Sequence, residues 1–132
     1  MKSKKTVLKV VRVKPDAGLR PTLLQLKNEF GACGLKLSTE DAAMSMDQIG
    51  YWAESAGDIL PVVVKIGGPN ARNDIKQLLP MNIDGLIAPM VESPYGLANF
   101  ISAVRDFTTP MQFERVKKQI NIETKTAVHQ LD

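Results

Sequence analysis

Glu40, Asp41, Lys65, Glu92, Asn121 and Glu123 are the side chains whose types could hold an anion, a hard cation and a proton. Each falls at or just beyond the C-terminal end of a short apolar run, where parallel α/β proteins build their active sites. Strand alternation puts Asn121 and Glu123 on the same face. Glu123 with a second carboxylate and water makes an oxygen-rich site, suited to Mg2+ or Mn2+ rather than zinc. Beside such a site, Lys65 can bind a substrate carboxylate or stabilise an enolate as charge develops. Gly67-Gly68 marks a tight turn whose amides can cradle an anion, although neither a GxGxxG nor a Walker pattern is present.

Plainer roles compete for the same residues. Lys65 can simply pair with Glu40 or Glu92. For Glu92 the favoured role is that of an acid near a helix N-terminus, where it gains from the dipole. Tyr51, Trp52 and the methionines sit mostly at helical spacings and are expected to pack. His129, near the C-terminus, is expected to be exposed and has no metal-ligand set around it. Cys33, within Gly31-Ala32-Cys33-Gly34, suits a small core-lining position. As the only cysteine it excludes an internal disulfide and fits a reducing cytoplasm.

The elements that must position these side chains recur along the chain. Residues 6–13 are β-branched and form the first strand candidate, stopped by Pro15-Asp16-Ala17-Gly18. A helix begins near Pro21, with Leu23, Leu24, Leu26 and Phe30 as its inner stripe, and ends at Gly31. Strand candidates follow at 34–38, 60–66, 84–92 and 119–124. Helices intervene, carrying Met46, Ile49, Trp52 and Ala53, then Ile75, Leu78 and Leu79, then Leu97, Phe100, Ile101 and Val104. Ser93 and Pro94 supply a helix start as N-cap and N1. Residues 107–118 are a polar connection, and a last helix begins near Thr126.

Strand, polar tip, helix is the grammar of a parallel α/β protein, either an open doubly wound sheet or a (β/α)8 barrel. A full barrel takes about 250 residues, so the 132 residues here cover roughly half of one. The expectation is a single, partial βα-barrel domain over residues 1–132 with a basic N-terminal segment, 1–20.

Composition narrows the classes. With 44% hydrophobic and 23% charged residues the chain is an ordinary globular one. The net charge of +3 is concentrated at Lys2, Lys4, Lys5, Lys9, Arg12 and Lys14. Such an arm could touch nucleic acid or anionic lipid, but a solvated end is the favoured reading. No run reaches the ~18 apolar residues of a membrane span, and Lys9 and Arg12 interrupt any signal-peptide core. The chain is expected to be cytoplasmic, with no membrane or nucleic-acid partner.

Four pieces carry a family likeness in the right order and at the right spacing. They are Val62-Val63-Val64-Lys65-Ile66-Gly67-Gly68, Asn73-Asp74-Ile75-Lys76-Gln77-Leu78-Leu79, Ala88-Pro89-Met90-Val91-Glu92-Ser93 and Ile120-Asn121-Ile122-Glu123-Thr124. From about Leu26 onward the chain resembles the HpcH/HpaI aldolase and citrate lyase beta-subunit family of metal-dependent (β/α)8 barrels. The resemblance implies cleavage or formation of carbon–carbon bonds in 2-oxo acids or acyl-CoA esters, through an enolate held by a divalent cation. By that resemblance Glu123 matches the metal-binding glutamate and Asn121 the amide two residues before it. Lys65 stands where many members carry a substrate-binding arginine; it keeps the charge and loses the bidentate fork. Glu40-Asp41 stands where the aldolases have a Glu-His pair, so the acid–base histidine is replaced. A second metal-binding aspartate would lie beyond Asp132. The implied partners are a small 2-oxo acid or acyl-CoA and a second or complementing chain; the other reading is a non-catalytic, oligomerising barrel fragment.

Overall fold

The computed structural model describes residues 18–131. The strand expected over 6–13, and most of the basic segment, lie outside them.

Four parallel strands alternate with helices. In chain order these are α1 (Leu19–Phe30), β1 (Leu35–Ser38), α2 (Met46–Ala56), β2 (Val62–Lys65), α3 (Arg72–Leu78), β3 (Gly85–Ala88), α4 (Pro94–Asp106), α5 (Pro110–Arg115), β4 (Lys117–Ile120) and α6 (Lys125–Val128). The order across the sheet is β1-β2-β3-β4, with no reversal. Register runs Leu37↔Val64, Val64↔Leu86 and Ala88↔Ile120.

Local chemistry sets the boundaries. Ser45 accepts from the Gln48 amide while Gln48 accepts from the Ser45 amide, a capping box that starts α2. Ser93 caps α4, with Pro94 at its first position, as the sequence predicts. Asp84, at the entry of β3, accepts the Val62 amide at 2.7 Å and so fastens the start of β2. Gly85 is needed because a Cβ there would lie 2.8 Å from the Lys117 carbonyl oxygen and 2.9 Å from its Cβ.

Alternation divides the sheet into two faces. Leu37, Val62, Val64, Leu86 and Ala88 point into a core shared with Ile49 and Ala53 of α2, Ile75 and Leu78 of α3, and Phe100, Ala103 and Val104 of α4. The other face bears Lys36, Val63, Lys65, Gly85, Ile87, Lys117 and Gln119, and contributes nothing to that core cluster. One-handed crossovers between strands laid down in sequential order place their helices on one side, which accounts for the division.

Several expectations are corrected. On α1 only Leu23 is buried, while Leu24, Leu26 and Phe30 are exposed, Phe30 by 73%. The helix touches α2 through Leu23, with Leu19 packed against the same core. Strand β3 stops at Ala88 rather than near Glu92, because Pro89 has no N–H to give and Met90 turns left-handed at φ +53°. The connection 107–118 contains α5, begun by a Thr109–Gln112 capping box, and β4 begins two residues before the expected 119–124 and ends at Ile120, four residues short of it. Cys33 is exposed rather than core-lining, since it precedes β1 in an irregular segment. Met90 and Met111 are exposed rather than packed. His129 is exposed, as expected. Among the described residues no helix is long and apolar enough to cross a membrane.

Candidate functional site

The C-terminal ends of β1, β2 and β4 bring Asp41, Lys65, Asn121 and Glu123 together. Lys65, the last residue of β2, stands on the face away from the helix-packed core. Its Nζ lies 2.7 Å from Asp41 Oδ2 and 3.8 Å from Glu123 Oε1. The lysine side chain is only 13% exposed, against 61% for Asp41 and 33% for Glu123. The hydrogen bond to Asp41 and the charges of Asp41 and Glu123 outweigh desolvation and raise the Lys65 pKa. The same hydrogen bond, with the charges of Lys65 and Lys36, lowers that of Asp41. Lysine stays charged and aspartate stays ionised.

Glu123 is held from two sides. Asn121 Nδ2 donates to its Oε1 at 3.0 Å, and the Met90 amide donates to its Oε2 at 3.1 Å. Asn121 and Glu123 lie past β4, so the tip turn, not strand alternation, brings their side chains together. The left-handed Met90 turns the end of β3 so that its N–H reaches across to the β4 tip. A non-glycine residue in that region carries strain, which tends to gather at functional sites. Its sequence signal is weak, because methionine does not advertise a positive φ.

The partners of Lys65 are therefore Asp41 and Glu123, not Glu40 or Glu92. Glu92 accepts the Thr124 hydroxyl at 2.7 Å and ties the α4 entry to the start of α6; Ser93, not Glu92, caps α4. Glu40 lies over Gly67, where a Cβ would come within 3.0 Å of Glu40 Cγ. The Gly67 amide is already given to Asp74 Oδ2 at 3.0 Å, and Thr39 donates to that same oxygen at 2.7 Å. Gly67 thus supplies room rather than an open amide, and a Cβ on Gly68 would meet nothing within 4 Å.

No three His, Cys, Asp or Glu side chains gather as a metal-ligand group among the described residues. Glu123 accepts one N–H on each oxygen and keeps lone pairs free. A Mg2+-type ion commonly takes one or two carboxylates and fills its other positions with water and substrate oxygens. Glu123 fits that role as a single protein ligand.

Comparison with protein-family models, with curated proteins and with solved structures finds no match to this chain.

Proposed function

We propose that the chain is a segment of (β/α)8-barrel lineage carrying part of the active site of a divalent-metal-dependent carbon–carbon lyase or aldolase. Its substrate would be a 2-oxo acid or acyl-CoA ester reacting through an enolate. The observation that supports this most is the convergence of Lys65, Asp41, Asn121 and Glu123 at the strand tips of a parallel sheet ordered without reversal. An unreversed order is what a barrel requires, whereas an open doubly wound sheet reverses at its ligand crevice.

Glu123 would hold Mg2+ or Mn2+, whose contribution when bound is charge neutralisation at the enolate oxygen. Asn121 and the Met90 amide fix the Glu123 carboxylate in one orientation. Lys65, kept protonated, binds the substrate carboxylate as a single point of charge. Asp41, held as its anion by Lys65, is a weak base.

A second reading, a non-catalytic segment that assembles with other chains, is favoured by apolar exposure at both lateral edges. Leu24, Leu26 and Phe30 are exposed on α1, and Ile122, Val128 and Leu131 beside β4. A cavity of about 130 Å3 opens there between Val91, Leu97, Ile120, Ala127 and Leu131.

Mn2+ binding, followed by the fall of the free-ion EPR signal with and without oxalate, separates the readings. The lyase reading expects binding strengthened by oxalate and lost in Glu123→Gln. Binding indifferent to Glu123→Gln would remove that residue from the site. Absence of binding, with a self-associated chain by light scattering, would favour the second reading.

A further inference from the structure

The two carboxylates around Lys65 are not equivalent. Glu123 is fastened by the Asn121 side chain and the Met90 amide, and stands 3.8 Å from the ammonium. Asp41 makes the closer contact, 2.7 Å, yet it is largely solvent-exposed. It belongs to the connection between β1 and α2, which has no regular structure over residues 39–45.

That connection is curled by local bonds. The Asp41 amide donates to Ser38 Oγ at 3.0 Å, and the Ala43 amide to the Glu40 carbonyl at 2.9 Å. The curl requires Ala43 at φ +49°, a left-handed conformation that costs an alanine energy. Beyond Ser38, no side-chain hydrogen bond other than the one from Lys65 secures Asp41. An exposed acid thus sits on a largely buried cation, in a loop that carries a left-handed alanine.

We propose that Asp41 is a built-in stand-in for the substrate carboxylate, occupying Lys65 until an incoming carboxylate displaces it. This rests on Lys65 being the carboxylate-binding residue of the site described above. The exchange breaks one ion pair and makes another, while Glu123 stays 3.8 Å from the ammonium throughout.

Calorimetric titration of the full chain with oxalate at low salt, without added metal, tests the exchange. The variants are Asp41→Asn, Asp41→Ala, Asp47→Asn and Lys65→Met, with far-UV circular dichroism confirming the fold of each. Asp41 itself is largely exposed and its hold on Lys65 is weakened by solvent, so both Asp41 variants should bind oxalate about two- to fivefold more tightly than the parent. Asp47, exposed in the first turn of α2, reports the effect of net charge alone, and its variant should change affinity less than about 1.5-fold. Lys65→Met should abolish binding.

Equal or weaker binding in the Asp41 variants would overturn the proposal and make Asp41 a support for Lys65 or a contact to the ligand. Tightening by Asp47→Asn to the same degree would overturn it in favour of general charge. If oxalate binds neither the parent nor the Asp41 variants, the stand-in is wrong. In that event Mn2+ binding lost in Glu123→Gln would still leave the lyase reading standing, and its absence would take that reading down too.

Discussion

Val64 and Lys65 are neighbours on β2, yet they look into different surroundings. Val64 is fully buried among residues of the flanking helices, whereas Lys65 turns to the other side and is held by carboxylates. The same contrast holds along β3, where Leu86 joins the core and Gly85 stays small to let β4 approach. One face of the sheet is built for cohesion. The other keeps polar groups in position and draws on the cohesion of the first.

The contrast breaks hardest on the helix side. Phe100 is fully buried, and Phe100→Ala should cost about 3–5 kcal/mol, since transfer and cavity terms add. Urea denaturation would read it as a lower midpoint at unchanged slope; a loss below about 1 kcal/mol would mean that α4 is not seated as described. On the open face, Gly85→Ala should cost about 1–3 kcal/mol, because the added methyl meets Lys117 backbone that cannot swing away. A neutral result would show that β4 is free to shift.

The smallest effect concerns charge and sharpens the comparison through pH. Arg20 grips Asp58 with two hydrogen bonds of 2.7 Å on the helix side, as Lys65 grips Asp41 on the open side. Hydrogen bonding to Arg20 is the main cause that brings Asp58 down to about 2, and Lys65 likewise lowers Asp41. A carboxylate whose folded pKa is depressed stabilises the fold fully above its unfolded pKa of about 4 and loses that contribution as pH falls. For Asp58 the loss falls between about pH 4 and pH 2. Asp58→Asn should therefore flatten the fall in Tm over that interval, measured by thermal melts at stepped pH. An unaltered slope would assign the acid sensitivity to other groups.

Much of this arrangement is legible in the sequence, for physical reasons that differ by element. Val62-Val63-Val64 and Leu86-Ile87-Ala88 announce central strands because short unbroken apolar runs suit the middle of a parallel sheet. Ser45 and Ser93 announce helix starts because a hydroxyl there has an amide to satisfy. Lys117-Lys118-Gln119-Ile120 announces nothing of the kind. It is an edge strand, and the edge is where charged residues are tolerated; its Lys118 bonds the Phe113 carbonyl and lies 3.9 Å from that ring's centroid. Helix α5 could have been read from Thr109-Pro110-Met111-Gln112, which carries both the capping pair and the N1 proline. The site residues were marked by their place at strand ends. Their pairing was not, because it depends on how Met90 and the 39–45 connection turn, and neither contains a glycine at the bend.

The unreversed strand order has a kinetic side. Among the described residues each strand bonds only to the strands before and after it in the chain, so every ladder closes over one helix, or two between β3 and β4, and their connections. Loop-closure entropy is then paid in similar, modest instalments rather than in one long-range step. Assembly can advance unit by unit, each finished strand serving as the template for the next, much as a stack of repeats propagates from any nucleus. The centre of the sheet, β2 on β3, is the natural seed, because it alone is bordered on both sides.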